Sequence, residues 1–228
     1  MVRPGLGCVL GALVVAPCAG QGRLELSPFA GLYIPAAHVV DISANCPGGP
    51  CGEVLAQGIA PVVGARLTAW RNDRVALDFS VGYSRSRVTR HGLLAEIPSG
   101  VMVGRTPIDT TGTARITTGS ARVLIRLSPH TDRASVYAAA GLAVVAHGGE
   151  AYSHVAGNTG WGPVFGAVGR LQVAPALALR AELDEHVYSF SGTAFTTPPD
   201  YSLGVVAGNY HSRLQHDLVL SLGLSVAR

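Results

Sequence analysis

From Leu24 onward, apolar and polar residues alternate with period two, in stretches of about 10 to 14 residues separated by runs rich in Gly, Pro, Asn and Asp. Within residues 75–83, Val75, Leu77, Phe79, Val81 and Tyr83 share one face, while Ala76, Asp78, Ser80 and Gly82 share the other. Near the C-terminus Leu218, Leu220, Leu222 and Leu224 oppose Asp217, Ser221, Gly223 and Ser225. Successive side chains of a strand point to opposite sides, so each stretch reads as a strand with one apolar and one polar face. About eight are present, near residues 24–33, 58–70, 75–83, 113–127, 134–146, 161–173, 177–190 and 217–225. No amphipathic helix of useful length competes with them.

The connections alternate in length. Those at 71–74, 128–133 and 174–176 are tight and carry turn-forming Asn, Asp or Pro. Those at 34–57, 91–112, 147–160 and 191–212 are long. Long and short ends therefore fall on opposite sides of an up-and-down antiparallel sheet. The pattern predicts an all-β chain: an eight-stranded antiparallel transmembrane β-barrel with short periplasmic turns and long external loops.

Composition agrees with a membrane site. Only 14% of the residues are charged, short of the roughly quarter to a third that coats a soluble domain, and the mean hydropathy is +0.32. Past the N-terminus no apolar run approaches the roughly 18 residues of a spanning helix. Residues 1–20 read as a secretory signal, with Arg3, an apolar stretch at 6–15 and small residues before the cleavage zone, leaving a barrel domain over residues 21–228 of a protein exported to the bacterial outer membrane. That export leaves Cys46 and Cys51, separated by Pro-Gly-Gly-Pro, as a pair expected to form a disulfide.

The polar face carries Glu25, Arg66, Asp78, Arg122, Arg126, Arg170, Arg180, Glu182, Asp184 and Asp217, five guanidiniums and five carboxylates. An eight-stranded barrel is just wide enough for side chains to fill it. Paired Arg and carboxylate groups among Gly, Ala and Ser would do so, forming an ionic plug toward the periplasmic end. The apolar face would meet lipid, with Trp70 and Tyr137 near the short turns and Tyr33, Tyr83, Trp161, Tyr188, Phe190 and Tyr210 toward the long loops as aromatic girdles.

The stretch Leu24-Glu25-Leu26-Ser27-Pro28-Phe29-Ala30-Gly31-Leu32-Tyr33 resembles the opening strand of small outer-membrane barrels of the OmpA and OmpX type. His216-Asp217-Leu218-Val219-Leu220-Ser221-Leu222-Gly223-Leu224-Ser225 resembles their closing strand, and the residues around Arg180, Glu182 and Asp184 are similar to a lumen-facing strand. The chain departs from that family in ending Ser225-Val226-Ala227-Arg228, where an aromatic residue usually stands. The resemblance implies a membrane anchor in contact with outer-membrane lipid and lipopolysaccharide, whose loops meet a surface ligand.

Chemistry is sparse. The basic residues are all Arg, which excludes every reaction needing a lysine amine, and they form no block of the kind that binds nucleic acid. The run Gly160-Trp161-Gly162-Pro163-Val164-Phe165-Gly166 lacks the spacing of a dinucleotide fingerprint and reads as strand packing. The histidines in or beside the external loops, His38, His91, His147, His154, His186 and His211, show no ligand spacing, so neither a metal nor a cofactor is expected. Some small outer-membrane barrels modify the acyl chains of lipopolysaccharide with a His and a Ser, and His186 with Ser189 or His211 with Ser212 would be the candidates. Residues an odd step apart point to opposite faces, so no catalytic residue is assigned. The expectation is a monomeric, side-chain-filled barrel, a structural membrane component that presents its external loops. The alternatives are a lipid A acyl-modifying enzyme, a narrow channel and a soluble lipocalin-like carrier.

Overall fold

A strand whose two faces differ in polarity buries one of them only if its sheet closes or stacks, and here the sheet closes. The computed structural model describes residues 23–35, 40–46, 49–96, 104–129, 133–152, 155–156, 158–190, 193–194 and 213–227; side chains are described for most of these but not for 40–55, 90, 92–96, 104–108, 155–156, 190, 193–194 and 213. The strands are β1 (Arg23–Pro35), β2 (Val40–Cys46), β3 (Gly49–Gln57), β4 (Ala60–Trp70), β5 (Val75–Glu96), β6 (Gly104–Arg126), β7 (Ala134–Gly148), β8 (Val155–Ala156), β9 (Thr159–Ala174), β10 (Leu177–Phe190), β11 (Thr193–Ala194) and β12 (Arg213–Ala227). Going round the barrel, β1 pairs with β4, then β5, β6, β7, β9, β10 and β12 follow, and β12 returns to β1. All pairings are antiparallel, and closure removes the open edges that would otherwise recruit another chain. Among the described residues no helix is long and apolar enough to cross a membrane.

The inside and outside of the barrel follow strand parity. Leu220, Val123 and Phe79 are 47%, 40% and 37% exposed, whereas Arg122 and Glu182 are 3% and 2% exposed. Aliphatic side chains thus form a continuous outer belt, and the charged face lines the lumen. The short turns are built from the residues that marked them. Asn72 Oδ1 accepts from the backbone N–H groups of Arg74 and Val75 at 2.9 and 2.8 Å. Ser128 Oγ accepts from the Val136 N–H at 3.1 Å.

Two expectations change. The stretches 34–57 and 91–112 are not simply loops. β5 and β6 stay paired out to Glu96 opposite Gly104, a ribbon that continues beyond the apolar belt. β2 and β3 form a hairpin whose second strand lies against β5, with Gln57 opposite Val88 and Gly52 opposite Leu93. Past the belt neither face needs to be apolar, so these strands carry no strict alternation for a sequence pattern to register. The second change concerns aromatic placement. Tyr33, Trp70, Tyr137 and Tyr188 are buried in the lumen, not arrayed around the belt, while Tyr83 and Trp161 do lie on the exterior. Tyr33 has the parity of Glu25, and Tyr188 that of Glu182; period two outranks proximity to a strand end. The Phe190 side chain and Tyr210 lie outside the described residues, as do residues 1–20.

Candidate functional site

The lumen is layered. Trp70, Ala76, Leu124, Tyr137, Ala139 and Val168 pack together as an apolar layer near the short turns. The Trp70 and Tyr137 ring centroids are 5.3 Å apart. A charged layer lies above them.

Its members come from strands on opposite walls. Asp78 on β5 stands opposite Thr68 on β4 on one side and Arg122 on β6 on the other. Arg180, Glu182 and Asp184 occupy alternate positions of β10 and so share one face. Arg122 pairs with Asp78, with Asp184 and with Glu182, the last at 2.9 Å. Arg66 reaches Glu182 at 3.1 Å and Asp184 at 3.5 Å. Arg180 pairs with Asp78 at 3.0 Å and with Glu182. Thr68 donates to Asp78 at 2.6 Å and accepts from Arg180 at 2.7 Å, and Arg66 donates to Ser221 at 2.9 Å. The Arg66 guanidinium also sits 3.7 Å from the Phe29 ring centroid. Three guanidiniums and three carboxylates give zero formal charge, the condition under which buried ions are tolerated.

The other expected residues lie apart from this cluster. Glu25 pairs with Arg170 at 2.9 Å and with Arg23 at 3.0 Å, nearer the short-turn rim. Arg126 is at the turn itself, donating to the Pro129 carbonyl at 2.8 Å. Asp217 belongs to a layer on the external side, where it accepts from Tyr33 and, at 2.6 Å, from Tyr188.

Neither a family model nor a curated protein matches the sequence. Among solved structures, the chain is similar to the outer membrane protein OprG from Pseudomonas aeruginosa, with a TM-score of 0.59 at 11% identity over 91% of this chain and 95% of that one. It is also similar to the outer membrane protein AlkL in lipid bilayers, with a TM-score of 0.53 at 16% identity over 91% of this chain and 90% of that one. The chain has the fold of a small bacterial outer-membrane β-barrel. The exposed aliphatic belt of this outer-membrane barrel stands where that fold carries its apolar band.

Several residues of the outer-membrane barrel face the lumen where the sequence alone did not place them. Tyr188 Oη lies 3.1 Å from His147 Nε2, and His147 Nδ1 lies 3.3 Å from the Asn158 carbonyl. Tyr152, on the helical turn Glu150–Tyr152 beyond the end of β7, folds inward and donates to Gln57 at 3.0 Å; burial holds its phenol above the ordinary range. Parity was the signal that would have found Tyr33, Tyr188 and His147. Gly149, at φ +90°, makes the turn that brings Tyr152 back.

The glycine run near Trp161 has a steric reason. A Cβ on Gly160 would lie 2.4 Å from the Tyr188 ring, and one on Gly166 would lie 2.2 Å from Asp184 Oδ1. Gly166→Val is therefore expected to displace Asp184 and cost about 1–3 kcal/mol of overpacking, read as a lowered urea midpoint in detergent.

His186 is buried with the lumen face, whereas Ser189 is exposed on the other face, so they do not meet. His211 and Ser212 lie outside the described residues, as do His38 and His154. Among the described residues no group of three His, Cys, Asp or Glu side chains is placed to hold a metal. The backbone sets Cys46 opposite Gly49 and Cys51 opposite Ala44; the two cysteine side chains lie outside the described residues.

Proposed function

We propose that this outer-membrane barrel is a plugged scaffold: a structural membrane component that carries its external ribbons and loops to the cell surface. The observation that supports this reading is the six-member ion cluster of Arg66, Arg122, Arg180, Asp78, Glu182 and Asp184, which links β4, β5 and β6 to β10 across the lumen. Apolar and tyrosine-rich layers lie on its two sides. Water-filled conduction needs a gap through those layers, and binding carried by loops on a rigid frame needs none. The partners in this reading are lipopolysaccharide around the belt and a surface ligand at the ribbons. The protein acts as a monomer, without metal, cofactor or catalytic residue. Residues 1–20 serve as the export signal, residues 21–228 as the barrel domain, and a Cys46 to Cys51 disulfide pins the β2–β3 hairpin.

Planar-bilayer recording tests it against the narrow-channel alternative. The native protein is expected to give no steady conductance, while Arg122→Ala with Asp78→Ala, which removes an opposed pair from the cluster, is expected to admit ions. Steady current from the native protein, equal to that of the double variant, would overturn the plugged reading. Expression that changes the mass of lipid A would favour the acyl-modifying enzyme instead.

A further inference from the structure

The exterior of β5 runs Val75, Leu77, Phe79, Val81, Tyr83 and then Arg85 and Arg87; that of β6 runs Ile125, Val123, Ala121, Gly119, Thr117 and then Arg115. Ten residues of strand from Val75 to Arg85 span about 33 Å, which at a tilt near 40° rises about 25 Å, the height of an outer-membrane apolar band. The three arginines therefore sit at the headgroup level of the external leaflet. All three are exposed.

Their arrangement is unfavourable if left alone. Arg85 lies directly opposite Arg115 in the ladder, and Arg87 is the next outward residue on the same strand, opposite Thr113. Like charges directly opposed across a strand pair repel. Two acids on this exterior have basic neighbours instead: Glu185 faces His216 at 2.8 Å, and farther out Asp109 faces His91 at 3.3 Å. Among the described residues Arg85, Arg87 and Arg115 join no ion pair. Guanidinium forks on one flat face, spaced by one strand repeat, suit a group with several anionic oxygens and a tetrahedral shape.

We propose that Arg85, Arg87 and Arg115 bind the phosphate groups of a phosphorylated glycolipid of the outer leaflet, lipid A. The site rests on the outer-membrane reading and names residues for its lipid partner. The bound phosphate relieves the Arg85–Arg115 repulsion and ties β5 to β6 where they leave the membrane.

The test is native mass spectrometry of the delipidated, refolded full chain in a non-ionic detergent, titrated with diphosphoryl lipid A and with dephosphorylated lipid A. Wild type is expected to hold the diphosphoryl form at least tenfold more tightly. Arg85→Gln with Arg115→Gln should erase that preference, while Arg71→Gln with Arg74→Gln, which removes the same charge at the opposite rim, should keep it. A second readout is the unfolding midpoint. Without lipid A the double variant should match or exceed wild type, and with lipid A only wild type should rise. Equal affinity for both lipid forms, or displacement of lipid A by millimolar inorganic phosphate, overturns the proposal. So does a double variant that is less stable without lipid yet binds lipid A normally. Heat-modifiable migration of the same samples reports separately on the barrel, so failure of the lipid site and failure of the fold reading give different gels.

Discussion

Arg122→Ala is expected to lower the unfolding free energy of the barrel by about 3–5 kcal/mol, measured by urea titration of the refolded protein in detergent. The guanidinium touches three carboxylates at once, Asp78, Glu182 and Asp184, and is itself almost fully buried. Its removal leaves three acids facing two cations, Arg66 and Arg180, all of them buried. The cost comes from stranding the remaining charges more than from losing three contacts, so it should be non-additive. Adding Asp78→Ala should recover part of the loss, because the double variant restores neutrality with two acids and two guanidiniums. Strictly additive losses would show that the six residues do not act as one electrostatic unit.

Leu222→Arg is expected to cost about 2–4 kcal/mol in a lipid bilayer, and Val226→Arg, four residues nearer the periplasmic rim, about 0–1 kcal/mol. Both side chains face outward, Leu222 at 68% and Val226 at 49% exposure. In water two such exposed positions would tolerate Arg about equally. Only hydrocarbon makes the penalty depend on depth, because an isolated guanidinium near the midplane must drag water or headgroups inward. Refolding of both variants into bilayers, with equilibrium unfolding by denaturant, reads the difference. Equal costs would mean that the aliphatic belt is not embedded, and would favour a soluble carrier.

Much of this architecture could be read from one dimension. Where one face is buried and the other meets lipid, a strand must keep period two, so β1, β4, β5 and β12 declare both their existence and which of their residues share a face. The same rule assigned Arg122 and Glu182 to one surface and Val123 and Leu183 to the other. Position near a strand end points Tyr33 and Tyr188 to the interface, but their parity sets them with Glu25 and Glu182, and parity decides. The β2–β3 hairpin and the outer ribbon of β5 and β6 escaped because residues 40–57 and 91–112 keep no strict period-two alternation along the sequence.

The pairs that matter across the lumen are another case. Arg122 meets Asp184 from 62 positions away, and Arg180 meets Asp78 from 102. Strand spacing says that these groups face inward but not at what height each arrives.

What the chain order alone determined is local: the strands, the alternation of turns and loops, and the polarity of each face, because the constraint of one residue in and one residue out acts within a single strand. Which guanidinium neutralises which carboxylate, the inward fold of Tyr152, and the opposition of Arg85 to Arg115 were decided only in three dimensions. Those contacts depend on the register between strands and on closure of the sheet, which are set by all eight strands together.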